Sequence, residues 1–224
     1  MEVLSNLRAD RLLGGLQINN DVLGKYPGTL GLVVSVNGIY YGLTAAHVIF
    51  GSDLDRGEDG NIYQPYCIIC AADLLIGNAD LDGLIYSKIL DYCLFPLGGR
   101  QIEYEQSINY FPEIIDNYSM PFLDQRLKKY GATTKDTYGI VVGVEGNRVY
   151  IAKDHQHPRS DEWKDISAPG DSGAVWINDF NEVVALHTSA ENSELSIATS
   201  FDAIVQDIFD QFFDLEFIHN LYLY

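Results

Sequence analysis

His47, Asp91 and Ser172 are three side chains whose types and chain order allow nucleophilic acyl transfer. His47 ends Thr44-Ala45-Ala46-His47, Asp91 opens Asp91-Tyr92-Cys93-Leu94, and Ser172 lies in Pro169-Gly170-Asp171-Ser172-Gly173. A serine hydroxyl is a weak nucleophile and needs a base within hydrogen-bond reach. An imidazole titrates near neutrality, so it can take that proton and return it. A carboxylate fixes the imidazole tautomer and stabilises the imidazolium. Glycines around the serine permit a tight turn in which the amides of Gly170 and Ser172 face one spot, an oxyanion hole. Singly, each segment reads as structure: a strand-end histidine, a turn aspartate, a glycine-rich turn. Together, in the order His, Asp, Ser, they match one known chain order of a hydrolase triad.

Such a triad must be held by rigid elements, and the sequence predicts mostly strands. Leu30–Val36 and Ile39–Ala45 flank Asn37-Gly38, a type I′ hairpin signal. That dipeptide also divides the uncharged run 31–50, so two strands are expected there rather than a membrane span. Further strands are expected at Tyr66–Ala71, Tyr92–Leu97, Tyr138–Val144, Arg148–Lys153, Ala174–Ile177 and Val183–Thr188. Many short strands separated by Gly, Asn and Asp turns predict an all-β sandwich or barrel set. The exception is 200–213, where Phe201, Ile204, Val205, Ile208, Phe209, Phe212 and Phe213 recur at helical spacing. Asp202 near its start suits the helix dipole.

Composition bounds the function. The chain has 224 residues, 47% of them apolar, enough for one large domain or two small ones sharing a core. Its formal charge of −18 repels phosphate, so neither nucleic acid nor an anionic membrane is the expected partner. Three cysteines argue against a disulfide scaffold and fit a reducing compartment. Cys67 and Cys70 form a CxxC with no second pair nearby, and flanking Ile68 and Ile69 make it a buried strand. The segment 53–61 reads as a solvated acidic loop, and His155 and His157 lack a third ligand, so no metal and no cofactor are expected. No signal peptide is visible, and the expected location is cytoplasmic.

The blocks TAAHV, DYCLFPL and APGDSGAVW resemble the three catalytic blocks of trypsin-like (chymotrypsin-fold) serine peptidases. GGLQINND…YPGTLGLVVSV, from Gly14, resembles the opening segment of microbial and plant intracellular members. KKYGATTKDTYGIVVGV, from Lys128, resembles their KxGxTTGxTxG stretch, with Lys135 where glycine is usual. The resemblance spans about Gly14 to Phe213. It implies one peptidase domain over 1–224: two six-stranded antiparallel β-barrels, 14–110 and 120–199, with the active site between them, then the helix at 200–213. His47 would be the base, Asp91 the orienting acid and Ser172 the nucleophile, with oxyanion amides from Gly170 and Ser172.

The same resemblance puts the primary specificity (S1) pocket between Ile166-Ser167-Ala168 and the strand carrying His187, Thr188, Ser189 and Ala190. Ile166 stands where trypsins carry aspartate, so a preference for Lys or Arg is not expected. Staphylococcal-type glutamyl endopeptidases carry a histidine in a similar strand, and picornaviral main proteases use a Thr/His pair for glutamine. Ser167 and His187 would play those parts, favouring Glu, Gln or Asp in a protein or peptide substrate. In secreted digestive relatives the aspartate equivalent to Asp171 pairs with a newly cut amino terminus. Arg11-Leu12-Leu13-Gly14-Gly15 faintly resembles such a cut site, against which Gly14-Gly15 fits the intracellular group. Three alternatives stay open: a gated or inactive peptide-binding module, a protease effector of a defence system, and an activating partner or self-association through the aromatic C-terminal tail.

Overall fold

Asn37 and Gly38 both have positive φ, 52° and 79°, as a type I′ turn requires. They join β4 (Leu32–Val36) to β5 (Ile39–Thr44), which pair antiparallel from Val36↔Ile39 to Leu32↔Leu43. A computed structural model describes residues 11–20, 27–51, 60–64, 75–79, 83–98, 103–108, 115, 117–162, 165–212 and 221–223. The strand expected at Tyr66–Ala71, the CxxC, and most of the acidic loop and of the C-terminal tail lie outside these residues.

The first half also holds β1 (Arg11–Gly14), β2 (Leu16–Asn20), β3 (Gly28–Leu30), β6 (Asn61–Tyr63), β7 (Leu75–Asn78), β8 (Ile85–Ser87), β9 (Tyr92–Pro96) and β10 (Glu103–Ile108). A short helix, α1 (Ala46–Phe50), follows β5. The second half holds β11 (Arg126–Gly131), β12 (Lys135–Glu145), β13 (Arg148–Lys153), β14 (Val175–Asn178), β15 (Val183–Asn192) and β16 (Leu195–Ser200). The chain ends in helix α2 (Phe201–Phe212) and β17 (Leu221–Leu223).

The six second-half strands close into an antiparallel barrel in the order β11-β12-β13-β16-β15-β14. A second closed barrel, expected for 14–110, is not formed among the described residues. That half comprises a five-stranded sheet (β17-β4-β5-β9-β8), a four-stranded sheet (β3-β2-β6-β7) and a parallel pair, β1 with β10. The expected continuous strand Leu30–Val36 breaks at Gly31, where the chain passes from the second of these sheets to the first. A Cβ on Gly31 would stand 2.4 Å from the Gly173 carbonyl oxygen, so the break is also where the serine segment presses in. A single bridge, Gly77 to Leu97, ties β7 to the end of β9.

Three apolar clusters hold these layers. One fills the first half around Ile18, Leu30, Ile62 and Phe95, and one fills the barrel around Trp176, Val149 and Ile151. The third lies between the halves and joins Leu43 and Leu94 to Ile177, Leu186 and α2. Phe201, Ile204, Val205 and Ile208 on α2 are buried there, each worth roughly 1.5–3 kcal/mol of transfer energy. Asp207 on α2 accepts a 2.7 Å hydrogen bond from the Tyr92 hydroxyl, which pins the helix behind the segment that carries Asp91. No described helix is long and apolar enough to cross a membrane.

Candidate active site

His47 sits in the first turn of α1, two residues beyond the predicted strand end at Ala45. Asp91 closes the turn before β9 and has φ 52°, a left-handed conformation that aspartate tolerates better than most residues. Its carboxylate grips the histidine twice. Oδ2 lies 2.7 Å from His47 Nδ1, and Oδ1 accepts the His47 backbone N–H at 3.0 Å. The Asp91 carbonyl also accepts the Ala46 amide at 3.2 Å. This fixes the ring by Nδ1 and leaves Nε2 as the basic atom.

Ser172 lies in a turn clamped from both halves. Thr29 on β3 donates its hydroxyl to the Gly170 carbonyl and its amide to the Ser172 carbonyl, both at 2.8 Å. Gly173 has φ 93°, and a Cβ there would meet Thr44 Oγ1 at 2.2 Å and the Ala45 amide nitrogen at 3.1 Å. The residue after the serine therefore packs against the two residues that precede α1. Within the turn, the amides of Asp171, Gly173 and Ala174 donate to the carbonyls of Ala168, His187 and Asp171. The amides of Gly170 and Ser172 have no acceptor among the described residues. The Ser172 hydroxyl donates to the Thr188 carbonyl at 3.4 Å, and no hydrogen bond joins it to His47. Such bonds are often long in unliganded sites and tighten around substrate.

A residue that sequence reasoning passed over organises this turn. The Lys129 ammonium on β11 donates to Asp171 Oδ2 at 2.9 Å, and both side chains are fully buried. Asp171 also accepts the amides of Thr133, Thr134 and Ala168 and the Thr134 hydroxyl. Burial alone would push the Asp171 carboxyl up. Lys129 and then Thr134 more than offset that and hold it well below the usual carboxylate range. The KxGxTT stretch is thus the cradle of Asp171: Lys129 neutralises it, Thr133 and Thr134 bond to it, and a Cβ on Gly131 would stand 2.3 Å from its Oδ1. The counter-charge that the cut-terminus alternative would supply comes here from the chain's own barrel.

The residues expected to form S1 are placed unevenly. His187, on β15, is 2% exposed, and its Nδ1 lies 2.9 Å from the Ser196 hydroxyl. Its backbone accepts from the Gly173 amide and donates to the Ala174 carbonyl, so the ring's strand lies directly beside the serine turn. Ser167 carries a buried hydroxyl with no partner among the described residues, and no hydrogen bond joins it to His187. Ile166 is fully buried in the barrel core. Ala168 and Thr188 are half-buried, and Ser189 and Ala190 are exposed. Cys93 is buried on β9, where burial pushes its thiol up, so it is inert. The described residues contain no cluster of metal-ligating side chains.

Burial, then the Lys129 charge, push His187 down to about 3, with Asp171 opposing them. The unfolded imidazole takes a proton near 6.5, which the folded one resists until about 3. This group's contribution to stability is therefore lost as pH falls from 6.5 towards 3. Urea titrations across that window should show wild type losing more stability than His187→Asn. Parallel curves would mean that the ring is not held neutral.

No family model and no curated protein matches the sequence. Solved structures do match the fold. A glutamic-acid-specific serine protease that uses a histidine triad in substrate binding superposes with TM-score 0.61 at 18% identity, over 87% of this chain and 96% of its own. Thermobifida fusca protease A gives 0.62 at 11% identity, over 88% and 95%. A homolog of alpha-lytic protease, N4, gives 0.62 at 12%, over 88% and 96%. Likeness at these identities establishes architecture alone: the chain has a chymotrypsin-like all-β fold with a C-terminal helix.

Proposed function

We propose that the chain is a serine endopeptidase working through an acyl-enzyme. The observation that carries this reading is the double grip of Asp91 on His47, with the serine turn packed against the residues just before that histidine. His47 Nε2 takes the Ser172 proton, Ser172 Oγ attacks the carbonyl carbon, and the amides of Gly170 and Ser172 receive the oxyanion. His47 then gives its proton to the leaving amine. Each oxyanion donor is worth about 2.7–4 kcal/mol in the transition state.

For the residue before the cut (P1), the reading is Glu, with Gln or Asp as alternatives. A neutral His187 whose Nδ1 accepts from Ser196 presents Nε2–H to a ligand, and the unpartnered Ser167 hydroxyl is a second donor. One structure of similar fold belongs to a glutamic-acid-specific protease that binds substrate with histidines. Here the partner at His187 Nδ1 is the Ser196 hydroxyl. Replacing His187 by Ala should cut the preference for Glu over Leu at P1 about a hundredfold, because a site built to bond its ligand rejects ligands that cannot bond back. Scanning P1 in fluorogenic peptides checks this, and an unchanged profile would remove His187 from specificity.

The triad itself is tested with a fluorophosphonate, which reacts only with an activated serine. The expected result is one label per chain, mapped to Ser172 by peptide mass. A folded protein that stays unlabelled would overturn the reading. It would favour the second one, a gated or non-turnover module, whose supporting observation is the Ser172 hydroxyl turned to Thr188 rather than His47.

A further inference from the structure

A cleft of about 880 Å³ opens beside His47 between the two halves. Its walls are the turn 88–91 before β9, the β12–β13 turn, and Thr188 and Ser189 on β15. The halves meet at its floor, where the Thr199 hydroxyl donates to the Leu90 carbonyl at 2.9 Å.

Two cations face this space from opposite walls, Lys88 from the first half and Arg148 from the barrel, and both are exposed. They are unusual in a chain with 14 basic and 32 acidic residues. Every other basic side chain that the structure describes has a polar partner. Lys88 and Arg148 have none among the described residues. Neither of the cleft's two carboxylates forms an ion pair with them. Asp91 is turned to His47. Glu145 faces Arg148 across the hairpin in register, yet its carboxylate accepts from the Tyr150 hydroxyl at 3.3 Å. In so acidic a molecule, two cations that face one cleft with no ion-pair partner among the described residues mark a place where negative charge arrives from outside. Ile89, 95% exposed at the same rim, supplies an apolar surface next to them.

We propose that this cleft binds an acidic side chain of the substrate, held between Lys88 and Arg148, two to four residues before the scissile bond. The proposal rests on the endopeptidase reading for its orientation: with the P1 side chain at His187, the residues preceding it would pass Thr188 and Ser189, which follow His187 on β15 and line the cleft. Recognition would then read two acidic positions, one by neutral donors at His187 and one by full charges at Lys88 and Arg148. Basic substrate segments, which the −18 body attracts at long range, would be rejected at this point.

The test uses binding, so that it does not depend on turnover. Fluorescein-labelled heptapeptides with Glu at P1 carry Glu, Ala or Lys at each flanking position in turn, and anisotropy is read on Ser172→Ala protein. Glu at one of the three positions before P1 should tighten Kd about tenfold over Ala, and Lys should weaken it. The double variant Lys88→Glu/Arg148→Glu, at two exposed positions, should reverse that order, with an unchanged thermal melt. Raising salt from about 50 to 500 mM should shrink the difference, since these charges are exposed. Equal binding across the series, an order that survives charge reversal, a preference confined to the leaving-group side, or no binding at all would each overturn the proposal. Fluorophosphonate labelling of Ser172 is read separately. An unlabelled protein that still ranks the peptides by charge would sink the endopeptidase reading and keep the acid-binding cleft.

Discussion

Asp91→Asn is expected to lower kcat/KM about ten-thousandfold at neutral pH while leaving the fold intact. Asparagine has the same shape and tolerates the left-handed backbone at this position, where φ is 52°. Its amide oxygen can still accept the His47 backbone N–H that Oδ1 now accepts at 3.0 Å. Its NH₂ group must then face Nδ1, where Oδ2 now lies at 2.7 Å. A donor there forces Nδ1 to be the acceptor and puts the ring proton on Nε2. An Nε2–H cannot take the Ser172 proton. The base is lost through its tautomer, and an effect of about four decades corresponds to about 5.4 kcal/mol of barrier. Steady-state kinetics on a P1-Glu peptide measure it, with a thermal melt as control. Fluorophosphonate labelling should slow in parallel, because it needs the same deprotonation. A variant within tenfold of wild type, properly folded, would mean that Asp91 does not set the tautomer.

The local part of this design is legible in the sequence. The Asn37-Gly38 hairpin, the bounds of β13 and the buried face of α2 follow from turn chemistry and from periods of 2 and 3.6 within one segment. Features made by distant contacts are not legible in this way. Barrel closure pairs Leu127 with Asn178, and no local pattern encodes that pairing. The break at Gly31 exists because Gly173 presses on it from the other half. The helical turn at His47 is only five residues, too short for a period to emerge. Among the described residues the first half forms two separate sheets and the parallel pair of β1 with β10 instead of a closed barrel, and neither the sheet change nor the parallel pairing has a sequence signature. Lys129 did leave a signal. It shares the inward phase of β11 with buried Leu127 and Gly131, and a lysine in a core phase calls for a buried acid. Ile166, read through the resemblance as a wall of S1, points its apolar side chain into the barrel core.

Replacing Lys129 by Met should be the most damaging substitution for stability, and it separates the ion pair's structural role from its catalytic one. Met fills much of the same volume on β11, beside Trp176, whose ring centroid is 5.3 Å from the ammonium. It leaves the Asp171 carboxylate buried with amides and a hydroxyl but no counter-charge. Breaking such a pair costs about 3–5 kcal/mol, and for a chain of this size that lowers Tm by roughly 6–20 °C. Activity should fall as well, since Asp171 precedes Ser172 and its bonds to Thr133 and Thr134 hold the turn that carries the Gly170 and Ser172 amides. The double variant Lys129→Met/Asp171→Asn should regain much of the Tm, because no charge is then stranded, yet label more slowly than wild type. The pH dependence has a definite sign. Asp171 is held below its usual range, so the pair contributes its full stability above about pH 4, near the unfolded carboxyl value. The contribution is lost as pH falls through the folded value, and the Tm gap between wild type and Lys129→Met should narrow in acid. Because the cation is built into β11, an extension on the amino terminus should leave the labelling rate within about twofold of the unextended protein. If that extension abolished labelling while Lys129→Met did not, the charge that orders the serine turn would have to come from the amino terminus, and the cradle would be reduced to a packing feature of the barrel.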